Sequence, residues 1–404
     1  MNVRVLLAHN FYRSSEPSGE AQVLASEREL LERHGHVTAQ FLRHNDEIVN
    51  DGVLGAIRGA FSTPWNPFAA MAIRKSVNEF SPDIVHVHNT FPLISPSIFH
   101  AVGSRAARVL TLHNYRLFCP AAIPMRNGDI CTKCIDKHSV KPALRHGCYR
   151  NSRIATTPLA LGVALHRSMA TWKNQVDAFI VLTEFQRDLM IEAGLPSELV
   201  HIKPNFYSKE STVLPWNKRS DRVVFVGRLS QEKGLESLLE AWIMWGASAP
   251  ELQIIGDGPL REELERKSVK HPQVPIRFLG QVNAAAAKEE IARARLLVLP
   301  SLCFEGFPMV LIEAFTFGTP VAVSSVGPLP SIVTDGENGV TFSPGDPRSL
   351  LQVVRKTWES KSELDRLAHG ARHSYETQYS ATKNYNLLVE IYQKATEVSR
   401  RRSA

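Results

Sequence analysis

Short apolar runs alternate with amphipathic helical segments along most of this chain, and the alternation starts twice. In the first half, residues 3–9, 37–42, 84–88, 109–113 and 178–182 read as strands, and Gly19–Arg33 reads as a helix closed by Gly35. That order is the pattern of βαβ units and a parallel sheet. Residues 203–222 then form a polar break with Pro204, Asn205, Pro215 and Asn217, which reads as an interdomain linker. After it come strands 223–226, 252–255, 276–279, Leu296–Leu299 and Val321–Ser324, with helices 234–245, 260–267, Ala284–Arg293 and 308–317 between them. The expected fold class is therefore α/β, with two doubly wound parallel-sheet domains. The division is 1–203, carrying a cysteine-containing insertion at 117–150, then 204–380, then a helix within 381–404. That last helix carries an apolar stripe of Leu387, Leu388, Ile391 and Tyr392 that must pack on something.

A chain of 404 residues is long enough for two cores, and 44% apolar with 22% charged residues is ordinary for a globular protein. The first residues alternate like a strand and lack the basic start and long apolar run of a signal peptide. The longest weakly polar stretch, 154–165, is shorter than the about 20 residues a membrane-spanning helix needs. A cytoplasmic location with reduced cysteines is expected, peripheral on the inner face of the membrane if the basic charge meets lipid. Between residues 101 and 175 twelve Lys and Arg face only Asp129 and Asp136, so the segment is +10 in a chain of net +7. Anionic lipid headgroups, a diphosphate-bearing acceptor or nucleic acid would suit such a surface, and so would plain solvation.

The run Phe304-Glu305-Gly306-Phe307-Pro308-Met309-Val310-Leu311-Ile312-Glu313-Ala314 places two carboxylates around a turn that opens an apolar helix. Backbone N–H groups at a helix start are unpaired, so amides from Gly306 to Val310 suit phosphate or sugar oxygens. At about 1.5 Å rise per residue the two glutamates stand about 12 Å apart, beyond the about 5–9.5 Å of paired glycosidase carboxylates. They read as two contacts on one elongated ligand. Arg228 and Lys233 follow Gly227 just after a predicted strand, at the carboxyl end where open α/β sheets bind ligands. Two fixed cations there suit a diphosphate, gripped bidentately by Arg and as a point charge by Lys. A dinucleotide dehydrogenase is excluded, because Gly256-Asp257-Gly258-Pro259-Leu260-Arg261 has Arg where the third glycine of the fingerprint belongs.

Four ordered motifs carry a resemblance over nearly the whole chain: Glu305-x7-Glu313, Phe225-Val226-Gly227-Arg228-Leu229-Ser230-Gln231-Glu232-Lys233-Gly234, Ile255-Gly256-Asp257-Gly258-Pro259 and Phe278-Leu279-Gly280. Together they resemble the family-4 glycosyltransferases, whose GT-B architecture sets two Rossmann-like domains facing across a cleft, with a C-terminal helix crossing back to the first domain. The resemblance implies that Arg228 and Lys233 neutralise a departing nucleoside diphosphate, that Glu305 contacts the donor sugar and that Glu313 contacts the ribose. Amides around Phe307, Pro308, Met309 and Val310 would serve sugar and phosphate. Ser18-Gly19-Glu20 occupies the place of the family's glycine-rich loop, with Ser18 replacing the first of two glycines. His113 resembles the histidine that touches the transferring sugar, and Asn205 a position near the domain crossing. The family retains anomeric configuration, usually without a metal, so no cofactor is expected for catalysis beyond a UDP- or GDP-sugar co-substrate. No Asp-x-Asp run is present to hold a divalent ion. The expected acceptor is a saccharide, lipid-linked through a polyisoprenyl diphosphate, in surface polysaccharide assembly.

Cys119, Cys131, Cys134 and Cys148 fall within thirty residues and include one C-x2-C pair. Four thiols at this spacing suit a closed structural zinc site, and they equally suit reduced, unliganded thiols. A bacterial subset of the family carries a similar insertion. A nucleotide-sugar 2-epimerase would share the fold, but Arg228, Lys233 and the paired glutamates argue against it. A zinc-supported nucleic-acid-binding protein would need aromatics interleaved with the cations, and the segment offers only Tyr115, Phe118, Tyr149 and Trp172. No nucleic-acid partner is expected.

Overall fold

The computed structural model describes residues 2–12, 19–208 and 211–403. Ser18 lies outside them. The chain forms two compact units, one of residues 1–124, 131–205 and 381–404, the other of 125–130 and 206–380.

In the first unit six parallel strands follow the order β2-β1-β3-β4-β7-β8. They are β1 (Arg4–Phe11), β2 (Val37–His44), β3 (Ile84–Asn89), β4 (Ala107–Thr111), β7 (Ala178–Val181) and β8 (Val200–Ile202). The chain builds outward from β1 to β2 and then reverses to β3 on the other side. That reversal is the switch point at which doubly wound sheets bind ligands, beyond the strands' carboxyl ends. All six residues of β3 are buried, including His86 and His88, which face the same side by the two-residue period.

The helix Gly19–Arg33 has its expected bounds and buries Val23, Leu24, Glu27, Leu30 and Leu31. The C-terminal helix Ala381–Ser403 places Leu388, Ile391, Tyr392 and Ala395 in one core cluster with Val5, Leu7, Leu31, Ile84 and Val109. Leu387 stands at the edge of that stripe and is only half-buried.

The second unit carries the sheet order β11-β10-β9-β12-β13-β14. Its strands are β9 (Arg222–Val226), β10 (Glu251–Ile255), β11 (Ile276–Gly280), β12 (Leu296–Leu299), β13 (Val321–Ser324) and β14 (Gly339–Phe342), all parallel. The switch point here lies between β9 and β12. The remaining strands, β5 (Met125–Arg126) and β6 (Asp129–Ile130), form a hairpin. Asn127 and Gly128 at its tip have φ of 52° and 87°, the positive values a two-residue primed turn requires.

Two expectations need correction and a third holds with a qualification. Residues 125–130, placed by sequence with the first domain, are grouped with the second unit, where Gly128 lies against Gln231. The boundary between the units falls inside 203–222, between Asn205 and Phe206, where the linker reading places it, and Thr212, Val213, Pro215, Asn217 and Lys218 are exposed, but both ends of the segment are anchored. Lys203, Asn205, Phe206 and Tyr207 are buried, and the guanidinium of buried Arg219 donates to the carbonyls of Ala294 and Phe317 and to the Thr319 hydroxyl. Finally, β4 ends at Thr111, so His113 lies two residues beyond the strand rather than at its last position.

No helix among the described residues is long and apolar enough to cross a membrane. Leu388 is fully buried against the first sheet, so Leu388→Ala should cost about 2–5 kcal/mol of stability, measured by urea unfolding. A loss below about 1 kcal/mol would mean the C-terminal helix contributes little to that core.

Candidate functional site

At the switch point of the second unit, the loop after β9 carries Gly227, Arg228 and Lys233, and the loop after β12 carries Ser301 and Glu305. Lys233 Nζ lies 2.7 Å from Glu305 Oε1, which also accepts from the Ser301 hydroxyl at 2.5 Å. Burial alone would depress the Lys233 ammonium, but the Glu305 carboxylate more than offsets it and holds the pKa above the usual lysine value. Arg228, on the same loop as Lys233, is exposed.

Two glycines let the loops approach. Gly234 has φ +69°, and a Cβ there would meet the Pro300 carbonyl oxygen at 1.9 Å. Gly256 has φ +133°, and its Cβ would meet the Gly227 carbonyl oxygen at 1.9 Å. Any side chain at either position would push the cation-bearing loop off the sheet end.

The helix after Glu305 is Met309–Thr316, one residue shorter at each end than expected, with Pro308 at its N-cap. Phe307 and Pro308 are buried, and Gly306, Met309 and Val310 are partly exposed. Glu313 projects from this helix to Lys288 Nζ at 3.4 Å, and Lys288 also sits 4.8 Å from the centre of the Tyr207 ring. The two glutamates thus engage different lysines.

In the first unit, His113 and Asn114 follow β4, and His113 Nε2 is 3.0 Å from His88 Nδ1. Asn114 donates to Glu20 Oε1 at 3.2 Å, tying the start of the first helix to the end of β4. Gly19 opens that helix. Burial pushes the Glu20 carboxyl up to about 7, against the opposing effects of Asn114 and Arg116. Arg116 lies 4.0 Å over the Phe91 ring, and these residues with His88, His113 and Asn114 line a cavity of about 80 Å³. Asn205 is buried at 3% exposure, near the end of β8.

The described cysteines form no disulfide. Burial raises the Cys119 thiol to about 12, with Cys134 and Cys148 adding to the shift, and Cys134 is raised by burial with Cys148 and Cys131 contributing. Among the described residues the group whose ligand atoms converge within 4.8 Å is instead Glu27, His86 and His88. Thiolate donors suit zinc, but at about 2.3 Å per Zn–S bond the four sulfurs would have to draw together. The basic segment is also less uniform than its composition implies. Arg108 is buried and bidentate to Asp177, at 2.9 and 3.0 Å, while Lys133, Lys137, Lys141, Arg145, Arg150 and Arg153 are exposed.

A family model described as Glycosyl transferases group 1 matches residues 207–374, and one described as Glycosyltransferase Family 4 matches residues 20–210. The chain belongs to the family-4 glycosyltransferases. Relatives of this family-4 chain include an uncharacterized glycosyltransferase of Methanocaldococcus jannaschii, 34% identical over 44% of this chain and 45% of that protein. A sulfoquinovosyl transferase of Arabidopsis thaliana is 25% identical over 78% of this chain and 58% of that protein. A putative teichuronic acid biosynthesis glycosyltransferase of Bacillus subtilis is 24% identical over 82% and 76%. The chain spans about half the length of the first relatives it matches, between 42% and 58%. A glycosyltransferase structure from Rickettsia africae shares the GT-B fold at a TM-score of 0.68, with 14% identity over 98% of both chains. An Anabaena protein solved in complex with UDP gives 0.62, with 18% identity over 96% of this chain and 99% of that one.

Sequence reasoning gave no role to Glu27, Lys203, His86 and His88, of which His88 touches His113. A carboxylate on the buried Val23/Leu24–Leu30/Leu31 stripe and two histidines in alternate positions of an apolar strand were the available signals.

Buried neutral histidines make the protein acid-sensitive. Burial, with His88 and His44 adding, lowers His9 to about 3; burial against the opposing pull of Glu27 lowers His86 to about 4, and burial lowers His166 to about 4. The unfolded chain takes up these protons near pH 6.5, the folded chain only near 3–4, so stability is lost as pH falls between those values. Each histidine contributes a slope of about 1.4 kcal/mol per pH unit. Glu20, raised to about 7, acts in the opposite sense and lowers stability as pH rises from 4.5 to 7. Urea midpoints should therefore be lower at pH 5 than at pH 7, and Glu20→Gln should widen the gap. Equal midpoints would mean the histidines titrate normally.

Proposed function

We propose that the protein is a retaining glycosyltransferase that moves a hexosyl group from a UDP- or GDP-sugar to a saccharide acceptor without a catalytic metal. The observation that carries this reading is the Lys233–Glu305 pair, 2.7 Å apart at the switch point of the second sheet, with Arg228 exposed on the same loop as Lys233. A nucleotide sugar offers matching chemistry: a diphosphate for Arg228, Lys233 and the amides of Gly306 to Val310, and hydroxyls for Glu305 and Glu313. Support comes from Anabaena neighbours solved with UDP and with UDP-glucose.

In this mechanism the bond between the anomeric carbon and the phosphate oxygen breaks while the acceptor oxygen attacks from the same face. The acceptor proton passes to the departing phosphate oxygen, whose charge Arg228 and Lys233 stabilise. Gly227 holds the cation loop close, and His113, Gly19, Glu20 and Asn205 serve the transferring sugar and the acceptor side. Cys119, Cys131, Cys134 and Cys148 stand apart from the chemistry as a structural element, zinc-bound on this reading. The 2-epimerase alternative lacks a specific observation in its favour.

Purified protein incubated with UDP-, GDP-, ADP- and dTDP-sugars, with and without EDTA, should release nucleoside diphosphate slowly from one donor and be indifferent to EDTA. Glu305→Ala should reduce that release about 100-fold or more. If no donor is hydrolysed or bound, the reading fails.

We extend the reading to a lipid-linked acceptor met at an anionic membrane face, in surface polysaccharide assembly. Eight of the sixteen exposed large apolar residues among those described lie on the helices Gly52–Ser62, Pro67–Phe80 and Arg153–Ser168. Phe61 is 79% exposed, Phe68 74% and Ile154 86%. A cavity of about 570 Å³ lined by Ile48, Val53, Ile57, Ile154 and Arg150 opens among two of these helices. The relative named for teichuronic acid biosynthesis and a neighbour named as a lipopolysaccharide outer core galactosyltransferase are consistent with that class of acceptor. Vesicles containing phosphatidylglycerol should sediment the protein, neutral vesicles far less, and Phe61→Ser with Ile154→Ser should abolish the difference. Equal partitioning of wild type and variant would remove the membrane reading while leaving donor hydrolysis untouched.

A further inference from the structure

The cavity of about 570 Å³ in the first unit adjoins the smaller one beside His113, because Thr63, Phe91 and Leu159 line both. Its size falls within the about 300–1,000 Å³ of small-molecule pockets. Ile48, Val49, Val53, Ile57 and Pro158 supply its walls, and Arg150 is the one charged residue in its lining among those described. A saccharide or a peptide would lose water there without regaining hydrogen bonds, whereas hydrocarbon loses nothing. Val53 and Ile154 are 78% and 86% exposed, so the way in is apolar as well.

The side toward His113 is cationic. Arg116, which lines the smaller cavity, lies 4.0 Å over the Phe91 ring, and Phe91 meets Tyr149 edge-on at 6.0 Å. Arg116 and Arg150 stand 5.8 and 5.3 Å from the centre of the Tyr149 ring, so two guanidiniums share one aromatic platform where the cavities meet. Tyr149 N donates to the Thr156 hydroxyl at 3.0 Å, which ties that platform to the helix Arg153–Ser168. Arg108 of the same basic segment is paired with Asp177, but neither of these two guanidiniums has a carboxylate at ion-pair distance among the described residues. Arg116 donates to the Pro120 carbonyl at 3.0 Å and to Tyr12, and Glu20 feels it only from farther away. A guanidinium stacked on a ring keeps N–H groups in its own plane for a phosphate.

We propose that this cavity is the lipid subsite of the acceptor: it seats the first isoprene units of a polyisoprenyl diphosphate-linked saccharide, Arg150 and Arg116 hold the diphosphate, and the saccharide continues toward His113 and Asn114. The inference rests on the lipid-linked acceptor read above and adds the site that holds it. Apolar groove, paired cations and hydrogen-bonding groups follow one another along the protein in the order of chain, diphosphate and sugar along such a molecule. A bilayer phospholipid matches less well, since it carries two chains on one phosphate, whereas one groove with two cations suits one chain on two phosphates. Seating the chain in protein rather than in the bilayer fixes where the sugar stands.

The test is photolabelling of the intact protein with farnesyl diphosphate carrying a diazirine on its terminal isoprene, followed by mass spectrometry of the digest. Label should land on peptides covering residues 46–62 and 149–159, which line the groove. Unlabelled farnesyl diphosphate should compete at least about 10-fold better than farnesol or dispersed phosphatidylglycerol. Label elsewhere, the loops of the second unit included, overturns the assignment, and so does equal competition by farnesol or phosphatidylglycerol. Ala155→Trp fills the groove without removing an apolar wall and should abolish this labelling. Arg150 has φ 54°, in the left-handed region that Asn tolerates well, so Arg150→Asn removes the cation while keeping the turn. It should weaken labelling about 10-fold. Wild-type labelling in either variant also overturns the proposal. Sedimentation with anionic vesicles but no labelling would sink the groove and leave the membrane reading, and labelling without sedimentation would do the reverse.

Discussion

The polar core of the first unit radiates from one ion pair, Glu27 with Lys203, both within 1% of complete burial. Lys203 is the last residue before Pro204, and Asn384 of the C-terminal helix accepts from Lys203 at 3.2 Å while donating to the Pro204 carbonyl at 2.6 Å. One carboxylate therefore fixes the first helix, the end of β8, the C-terminal helix and, through His86 and His88, the central strand β3. Burial alone would raise the Glu27 carboxyl, yet Lys203, His86 and His88 together hold it well below the usual range. Removing one partner of such a pair strands a buried charge at about 3–5 kcal/mol, so the pair is best regarded as a constraint on arrangement rather than a surplus of stability.

The two sheet ends are built by different physics. In the second unit, the loops meet because Gly234 and Gly256 allow backbone to lie where a Cβ would overlap a carbonyl oxygen at 1.9 Å. The functional cation then sits on a loop whose path is set by sterics. In the first unit the backbone is less constrained by glycine, and orientation comes from charges and hydrogen bonds among buried side chains. Damage at the first kind of site displaces a loop, whereas damage at the second strips a buried group of its charge or hydrogen-bond partner.

Much of the fold was legible because its signals are local. The helices Gly19–Arg33 and Ala284–Arg293 and the strands Leu296–Leu299 and Val321–Ser324 appear at the bounds that periodicity gives. Sheet order is not local: nothing in residues 222–226 or 296–299 says that they become neighbours, yet that pairing creates the switch point at which Lys233 meets Glu305. Lys203 heads a segment of linker composition that does hold the boundary between the units, and nothing local marks its own burial. Its actual partners, Glu27 and Asn384, are 176 and 181 residues away. Glu27 itself was visible as a charge on an apolar stripe, but its meaning depends on a lysine that only the folded chain supplies.

The Lys233–Glu305 pair also bears on how the proposed site would select its ligand. Without a donor, the cation and carboxylate satisfy each other at 2.7 Å. A ligand carrying only phosphate could draw Lys233 away but would leave Glu305, 11% exposed, without its countercharge and close to a second anion. A ligand carrying only hydroxyls could serve Glu305 but would strand the lysine. A nucleotide sugar replaces both halves of the pair together, phosphate for Lys233 and hydroxyl for Glu305, so it avoids both desolvation costs. Once the sugar has left, the remaining nucleoside diphosphate faces a carboxylate it cannot hydrogen-bond, and re-forming the Lys233–Glu305 contact favours its departure. The same ion pair would thus favour intact donor over spent nucleotide without any additional residue.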